Sequence, residues 1–432
     1  MSKHAIATVR GRRVWDSRGR PTVEAEVLLR DGRIGRAIAP AGASRGSHEA
    51  IELRDGGEVF GGQDVKAAVA AVNGPIATAL AGWSVDDQAG IDNRLCELDG
   101  TTDKSRLGGN AIVAVSLASL HAAAAAADLP LWRYLAGGRD VRLPVPEIQI
   151  FGGGAHAAQR VDIQDFMIMC PSAPSFGVAI ERTAEVYRQA GRLMQEAGLL
   201  AGTADEGGWW PNFASNEAAL DMLVRSIEAA GYIPGDDVHI SLDVAATEFF
   251  DGSGYRLALD SRSLDRDGML ELLSGWIQRY PILSIEDPLA EDDTDGMRLF
   301  TAAHRDRLQI VGDDLLVTNP ARVNEAVDGA WCNAALIKVN QVGTVSEAHA
   351  ALAAAQRAGW ATLVSARSGD TEDLSIVHLS TGWDAGQIKV GSFARSERMA
   401  KWNELLRIEE SLGAGARYAG WGALPRSVRR PD

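Results

Sequence analysis

The chain predicts an α/β fold, a closed barrel of strands wrapped by helices, preceded by a smaller α+β segment. Two observations carry this expectation. From about residue 139 to about residue 412, short strand-like apolar runs alternate with helix-like stretches, the pattern of a parallel sheet with helical crossovers. Six of those runs also end in charged or polar residues: SLD at Asp243, SIE at Glu286, IVGD at Asp313, ALIK at Lys338, LVSARS through Arg367 and Ser368, and QIK at Lys389. In a closed barrel of parallel strands the carboxyl ends meet on one face, and that face carries the chemistry. Three carboxylates, two lysines and an arginine are therefore expected together, as a divalent-metal site beside a proton-abstracting base and an anion clamp.

Taken in order, the first segment holds alternating strand candidates at Ile6–Val9, Thr22–Leu29 and Gly35–Ile38. Ser17-Arg18-Gly19 and Asp31-Gly32 supply the turns between them. Helical stretches follow at about 63–81 and 109–127, the second built on an Ala tract at 122–127 that reads as a buried helix. Gly137-Gly138 leads into Leu143-Pro144-Val145-Pro146, so the division falls near 138: a capping unit over 1–138 and a barrel over 139–432. Asp251-Gly252-Ser253-Gly254 marks the turn of a hairpin-like insertion. The tail RSVRRPD is basic and contains Pro.

A chain of 432 residues with 46% apolar content and 46 Gly fits a soluble enzyme with many tight turns. The net charge of −15 argues against non-specific binding to nucleic acid or membrane. A small anionic substrate then requires local neutralisation by metal, Lys and Arg. The three cysteines, Cys96, Cys170 and Cys332, have no metal-like spacing, and a reducing, cytoplasmic setting is expected. The opening MSKHAIATVRGRRVWDSRG lacks the apolar core of a signal peptide, and no apolar run reads as a membrane span.

Longer strings go further. DSRGRPTVE, GAS followed by HEAIELRDGG, ELDGT, GNAI, ADEGG, SLDVAATEF, SIEDPLAEDD, IVGDDLLVTN, ALIKVNQVGT, RSGDTED, QIKVGS and KWNELLRIEE occur in this order over almost the whole chain. In this the sequence resembles enolase, the magnesium-dependent family that interconverts 2-phosphoglycerate and phosphoenolpyruvate. The resemblance implies a modified (β/α)8 barrel of the enolase type with an N-terminal α+β capping domain. It also implies homodimers or higher homo-oligomers, and two Mg²⁺ sites, the second dependent on substrate.

The resemblance assigns roles by position. Asp243, Glu286 and Asp313 hold the first Mg²⁺, for which hard oxygen ligands are suited. The competing reading is that strand-end acids cap the helices that follow them. Lys338 matches the general base, which needs a depressed pKa, here expected from Mg²⁺ and from the cation Lys389. Lys389 matches the lysine that steadies the substrate carboxylate. Glu206, in ADEGG, matches the general acid, and Asp165 takes the place of a Glu, one methylene shorter. Arg367 and Ser368 match the phosphate clamp, Arg supplying a planar fork for phosphoryl oxygens. Ser44, in a Gly- and Ala-rich loop at 40–47 expected to act as a mobile lid, matches a ligand of the second Mg²⁺. His156 matches a histidine near the phosphoryl group.

The departures gather on one side. Where the family usually reads V-S-H-R-S-G-E-T-E-D, this chain reads V-S-A-R-S-G-D-T-E-D, with Ala366 replacing the histidine. Arg45 replaces a Thr in the lid, the Asn before Gly153-Gly154 is missing, and Trp209-Trp210 stands where one aromatic followed by Ala is usual. The metal ligands, the base and the phosphate Arg are retained. Three readings follow. The favoured one is a specialised paralogue of phosphonate or phosphinate natural-product biosynthesis, with Arg45 and the space at Ala366 suiting a larger anionic substrate. The others are a housekeeping enolase and, from another class, a non-catalytic binding protein on the same fold.

Overall fold

The computed structural model describes residues 3–43 and 46–428, leaving the His156 side chain outside that description. The chain opens with an antiparallel meander of β1 (Ile6–Trp15), β2 (Pro21–Leu29) and β3 (Ile34–Ile38). Asp16 builds the first turn, accepting hydrogen bonds from the backbone N–H groups of Arg18 and Arg20 at 2.9 Å each. The meander lies on the helix Gly109–Ala126, whose small residues are the reason it can come so close. A Cβ on Gly35 would sit 2.1 Å from the Ala118 carbonyl oxygen. By length and composition this helix could cross a membrane, but 89% of it is buried inside the fold, the behaviour of a core helix.

The helical stretch expected at 63–81 is present but broken. It runs Lys66–Ala71, widens to a π turn at Val72–Ile76, and resumes at Ala77–Leu80. Pro75, inside the widened turn, has no N–H to give to the ladder. Two further helices, Gln88–Asp99 and Leu131–Ala136, lay outside the sequence expectation. The first begins at Asp87, whose carboxylate accepts from Gly90 N at 2.9 Å.

The rest of the chain supplies β4 (Val145–Gly152), β5 (Asp165–Met169), the short pair β6 (Leu200–Thr203) and β7 (Trp209–Pro211), and β8 (His239–Asp243). Then come the hairpin of β9 (Tyr255–Leu257) and β10 (Arg262–Leu264), β11 (Ile282–Glu286), β12 (Gln309–Gly312), β13 (Ala334–Ile337), β14 (Ala361–Ser365) and β15 (Gly386–Ser392). Eight of these close in the order β4-β5-β8-β11-β12-β13-β14-β15, with β15 returning to β4. The turn at Asp251–Gly254 closes Phe250 on Tyr255, ahead of the hairpin, whose own connection lies at 258–261.

The barrel is not wholly parallel. β5 runs against both β4 and β8, while the remaining pairs around the barrel are parallel. This reversal decides where Asp165 goes. It is the first residue of its strand, yet its register partner is Asp243, the last residue of β8. A strand start thereby joins the face built from strand ends.

Below that face the barrel interior is polar around Glu147. Ser241 donates to Glu147 at 2.9 Å, and the Gln309 amide reaches Glu147, Ser284 and Gln387 at 3.1, 3.0 and 2.9 Å. These groups satisfy one another, as buried polar groups must. The larger apolar core lies between the barrel and its outer helices, and between the meander and Gly109–Ala126, while Val311, Ala334, Leu336, Ala361 and Leu363 of β12, β13 and β14 form a small apolar cluster of their own.

Candidate active site

Each strand-end residue is placed by its ladder. Glu286 pairs in register with Asp243 and with Val311, and Lys389 with Ser365 and Glu147. The helices that follow the acids are capped by other residues: Asp265 for Arg266–Arg279, Asp293 for Thr294–His304 and Asn319 for Pro320–Gly329. The strand-end acids are therefore not spent as caps. Asp243 lines a cleft together with Asp165, Glu206, Lys338, Arg367 and Lys389, and Glu286 and Asp313 adjoin it through their pairs with Lys389 and Lys338.

The acids and lysines interlock. The Lys389 ammonium lies 2.7 Å from both Asp243 and Glu286 and 3.7 Å from Asp165. Burial alone would lower its pKa, but Asp243, Glu286 and Asp165 outweigh that and raise it well above the usual lysine value. Glu286 is pushed well above the carboxylate range by burial and then by the charge of Asp243. Lys338 pairs with Asp313. Burial would raise the Asp313 carboxyl, yet Lys338, then Arg367 and Lys389, overcome it and hold Asp313 low. The same pairing raises Lys338 despite the lowering effect of burial. This differs from the depressed lysine expected from sequence: in this arrangement Asp313 keeps Lys338 protonated.

Arg367 is bound by a residue the sequence reading did not single out. Glu49, from the segment after the lid, takes the guanidinium in a two-pronged pair at 2.9 and 3.1 Å, with both side chains buried. Glu49 also accepts from Gly46 N at 3.1 Å, so the described end of the lid and the anion clamp share one carboxylate. Behind the clamp, the fully buried Arg398 donates to the carbonyls of Arg367, Val390 and Ser368 at 2.8, 2.7 and 2.7 Å, which fixes the backbone of both clamp residues.

On the opposite wall, Glu206 sits at the tip of the hairpin joining β6 and β7. The chain turns sharply there at Gly207 (φ +94), where a Cβ would lie 2.4 Å from the Ala394 carbonyl oxygen. Asp165 accepts from the Gln149 amide, and the Gln149 carbonyl accepts from Gly208 N at 2.9 Å. Gln149 thus ties the shortened carboxylate to the loop that presents Glu206. Ala366 lies on a wall shared by the cleft and a second, partly open space lined by Ile38, Leu117, Val339, Ile376 and Leu379 together with Asn340, Asp370 and Asp373. Ser44, Arg45 and the His156 side chain lie outside the described residues, so no contact is assigned to them.

Sequence reasoning also missed Gln164 and Gln341. Gln164 donates to Asp243 at 3.0 Å, and Gln341 donates to Asp313 at 2.8 Å while accepting from Thr318. Both were visible only as neighbours of singled-out residues, Gln164 beside Asp165 and Gln341 three positions after Lys338.

The donor set fits a divalent cation. Asp243, Glu286 and Asp313 offer hard oxygens, an ammonium already stands between the first two, and the buried Oε1 of Glu286 has no hydrogen-bond partner among the described residues. A different trio, Asp287, Asp313 and Asp314, has oxygens within 4.8 Å of one another. Asp287 there is committed to the backbone N–H groups of Asp313 and Asp314, at 3.0 and 2.7 Å. Burial, then the Asp313 charge, lifts Asp287 to about 8 and Asp314 to about 9. That trio reads as a brace for the end of β12, sharing Asp313 with the cation set.

A barrel with acids and lysines converging at one face, capped by an α+β unit whose Glu49 reaches Arg367, defines a class of barrel enzymes. Two family models place the chain within it: "Enolase, C-terminal TIM barrel domain" matches residues 140–426 and "Enolase, N-terminal domain" matches residues 6–135. The chain belongs to the enolase family, whose members use Mg²⁺.

Proposed function

We propose that this enzyme carries out a Mg²⁺-dependent reaction on a phospho- or phosphono-enolpyruvate-type substrate, at the carbon beside its carboxylate. The observation that carries the reading is the interlocked set of Lys338, Lys389 and three carboxylates, one strand away from Arg367. Lys338 takes or returns the proton at the carbon, and Lys389 receives the substrate carboxylate once released from Asp243 and Glu286. Arg367 and Ser368 hold the phosphoryl or phosphono group, with His156 as a further contact. Glu206 handles the proton of the departing group, and Asp165, tied to it through Gln149, orients water between them. Asp243, Glu286 and Asp313 would hold a first Mg²⁺ and Ser44 would assist a second. A cation held there would supply charge stabilisation beside the substrate carboxylate, chemistry for which enolase-type sites are themselves the standard example, and would offset the acids that keep Lys338 protonated.

Within that chemistry we favour a specialised role, similar to carboxyphosphonoenolpyruvate synthase of phosphonate and phosphinate biosynthesis. What supports it is Ala366: the wall on the leaving-group side carries only a methyl group, with a small, partly open space behind it. The retained base and metal set supports the alternative, ordinary dehydration of 2-phosphoglycerate. The two separate in one assay, the ultraviolet absorbance rise of enol formation from 2-phosphoglycerate and Mg²⁺, with Lys338→Ala as blank. Turnover of roughly 1–10³ per second makes the protein a working enolase. A silent trace, with phosphoenolpyruvate still bound in the presence of Mg²⁺, supports the specialised role.

A further inference from the structure

The adjacent tryptophans of β7 face different partners. Trp209 belongs to the wall. It stacks on Tyr187 with ring centroids 4.5 Å apart, donates its indole N–H to the Tyr187 carbonyl at 2.8 Å, and lies where a Cβ on Gly191 would meet the ring at 2.6 Å. Trp210, half-buried, reaches out of the hairpin and donates its indole N–H to the carbonyl of Ala157 at 2.8 Å. Ala157 directly follows His156, in the segment that joins the end of β4 to Gln164 and Asp165 at the cleft wall.

That segment has a conformation it would not hold unaided. Its backbone is left-handed at Gly154 (φ +46) and at the consecutive residues Ala158 (φ +50) and Gln159 (φ +54). Residues with a Cβ avoid this region, and a pair of them persists only where the surroundings over-determine it. The base of the segment is closed by Gly153 N to Gln164 O at 2.7 Å and by Gly154 N to Val161 O at 3.0 Å. Its tip is gripped from the hairpin side at two points. Trp210 takes Ala157, just before the left-handed pair. Asn212 accepts from Arg160 at 2.8 Å, just after it, and the Arg160 guanidinium lies 5.8 Å from the centre of the Trp210 ring.

We propose that Trp210 is a positioning residue: its indole N–H straps the 153–164 segment, and with it His156, so that the segment is already in place when the anionic substrate arrives. The proposal rests on the reading of His156 as a substrate contact. It gives the second tryptophan, a departure from the usual Ala, a task distinct from that of Trp209.

Trp210→Phe keeps the ring and deletes only the donor. Arg160 is exposed and is followed by Val161, so trypsin can cut there if the segment loosens. Cleavage after Arg160 should quicken about three- to tenfold, the ratio corresponding to the net worth of one hydrogen bond. The dissociation constant of phosphoenolpyruvate with Mg²⁺ should rise by the same ratio, and not rise again when Trp210→Phe is added to His156→Ala. Asn212→Ala, which frees the segment from the other side, should reproduce the faster cleavage if the first variant folds poorly. Unchanged cleavage at Arg160 in both variants overturns the strap. Faster cleavage with unaltered phosphoenolpyruvate affinity overturns the positioning role. If the unaltered protein binds no phosphoenolpyruvate, the proposed function fails, and the trypsin result still decides the strap.

Discussion

The two sides of the cleft are built differently. On one side Asp243, Glu286, Asp313 and Lys338 stand at or just beyond strand ends and Lys389 stands in the middle of β15, fixed by the ladders and paired with one another. On the other, Asp165 starts a reversed strand, Glu206 sits on a hairpin tip, Trp210 leaves that hairpin, and Ala366 lies just past β14. Asp165 meets the Gln149 amide and lies 3.7 Å from Lys389, Trp210 meets a backbone carbonyl, and Ala366 borders apolar side chains. The contrast explains where this chain departs from the usual family pattern. Removing one member of a buried charge set leaves another charge unpaired, at a cost of about 3–5 kcal/mol. Changing a side chain among neutral neighbours carries no such penalty. Asp165 obeys the same rule: it keeps the charge that faces Lys389 and gives up only a methylene.

The largest effect should come from breaking the charged side. Lys338→Ala is expected to lower turnover by about 10²–10⁴-fold, the range for loss of a positioned general base. Steady-state rates on whichever enol substrate the protein accepts measure this. A loss smaller than tenfold would move the chemistry away from the interlocked side and revive the non-catalytic reading.

A second test probes the layer beneath. Glu147 is buried opposite Lys389 in register, and its hydrogen bonds come from the neutral groups Ser241 and Gln309. Burial lifts its carboxyl from 4.5 to about 7. The folded state therefore holds this proton more tightly than the unfolded chain. Its contribution to stability is full below the unfolded value and is lost as pH rises toward and past 7. At about 1.36 kcal/mol per unit the loss amounts to roughly 3 kcal/mol. Glu147→Gln keeps an acceptor and removes the titration. Compared by urea unfolding in chelator, the native protein should lose roughly 3 kcal/mol more than the variant between pH 4.5 and pH 8. Parallel curves would mean that Glu147 stays charged, with Lys389 as its true partner.

How much was legible follows the same division. The strand-end acids and lysines could be read because a strand's last residues announce themselves as charges after an apolar run. The convergence of Asp165 could not be read that way, since nothing in DFMIM signals that β5 runs backwards. Glu49 was hidden for another reason: its pairing with Arg367 spans 318 positions, and no local pattern encodes such a contact. Gln149 and Arg398 act through backbone and amide contacts, which composition does not mark. The raised Lys338 was missed because the reading assumed a cation in place, whereas Asp313 holds the proton when the carboxylates face only lysines.

The smallest effect is the most discriminating for substrate. Ala366→His returns an imidazole to the wall between the cleft and the space behind it. Ala366 is buried in a packed cluster, so the larger ring should cost about 1–3 kcal/mol, as overpacking typically does. If the methyl group is what separates this protein from 2-phosphoglycerate dehydration, the variant should gain about tenfold in that reaction, near the lower end of what a positioned acid or base supplies. Ala366→Leu adds bulk at the same place without a proton-carrying ring, and should carry a similar cost while leaving dehydration unchanged. Equal gains from His and Leu would point to packing of the wall as the cause. No gain from either would place the specificity across the cleft, in the lid bearing Ser44 and Arg45 or in the segment gripped by Trp210.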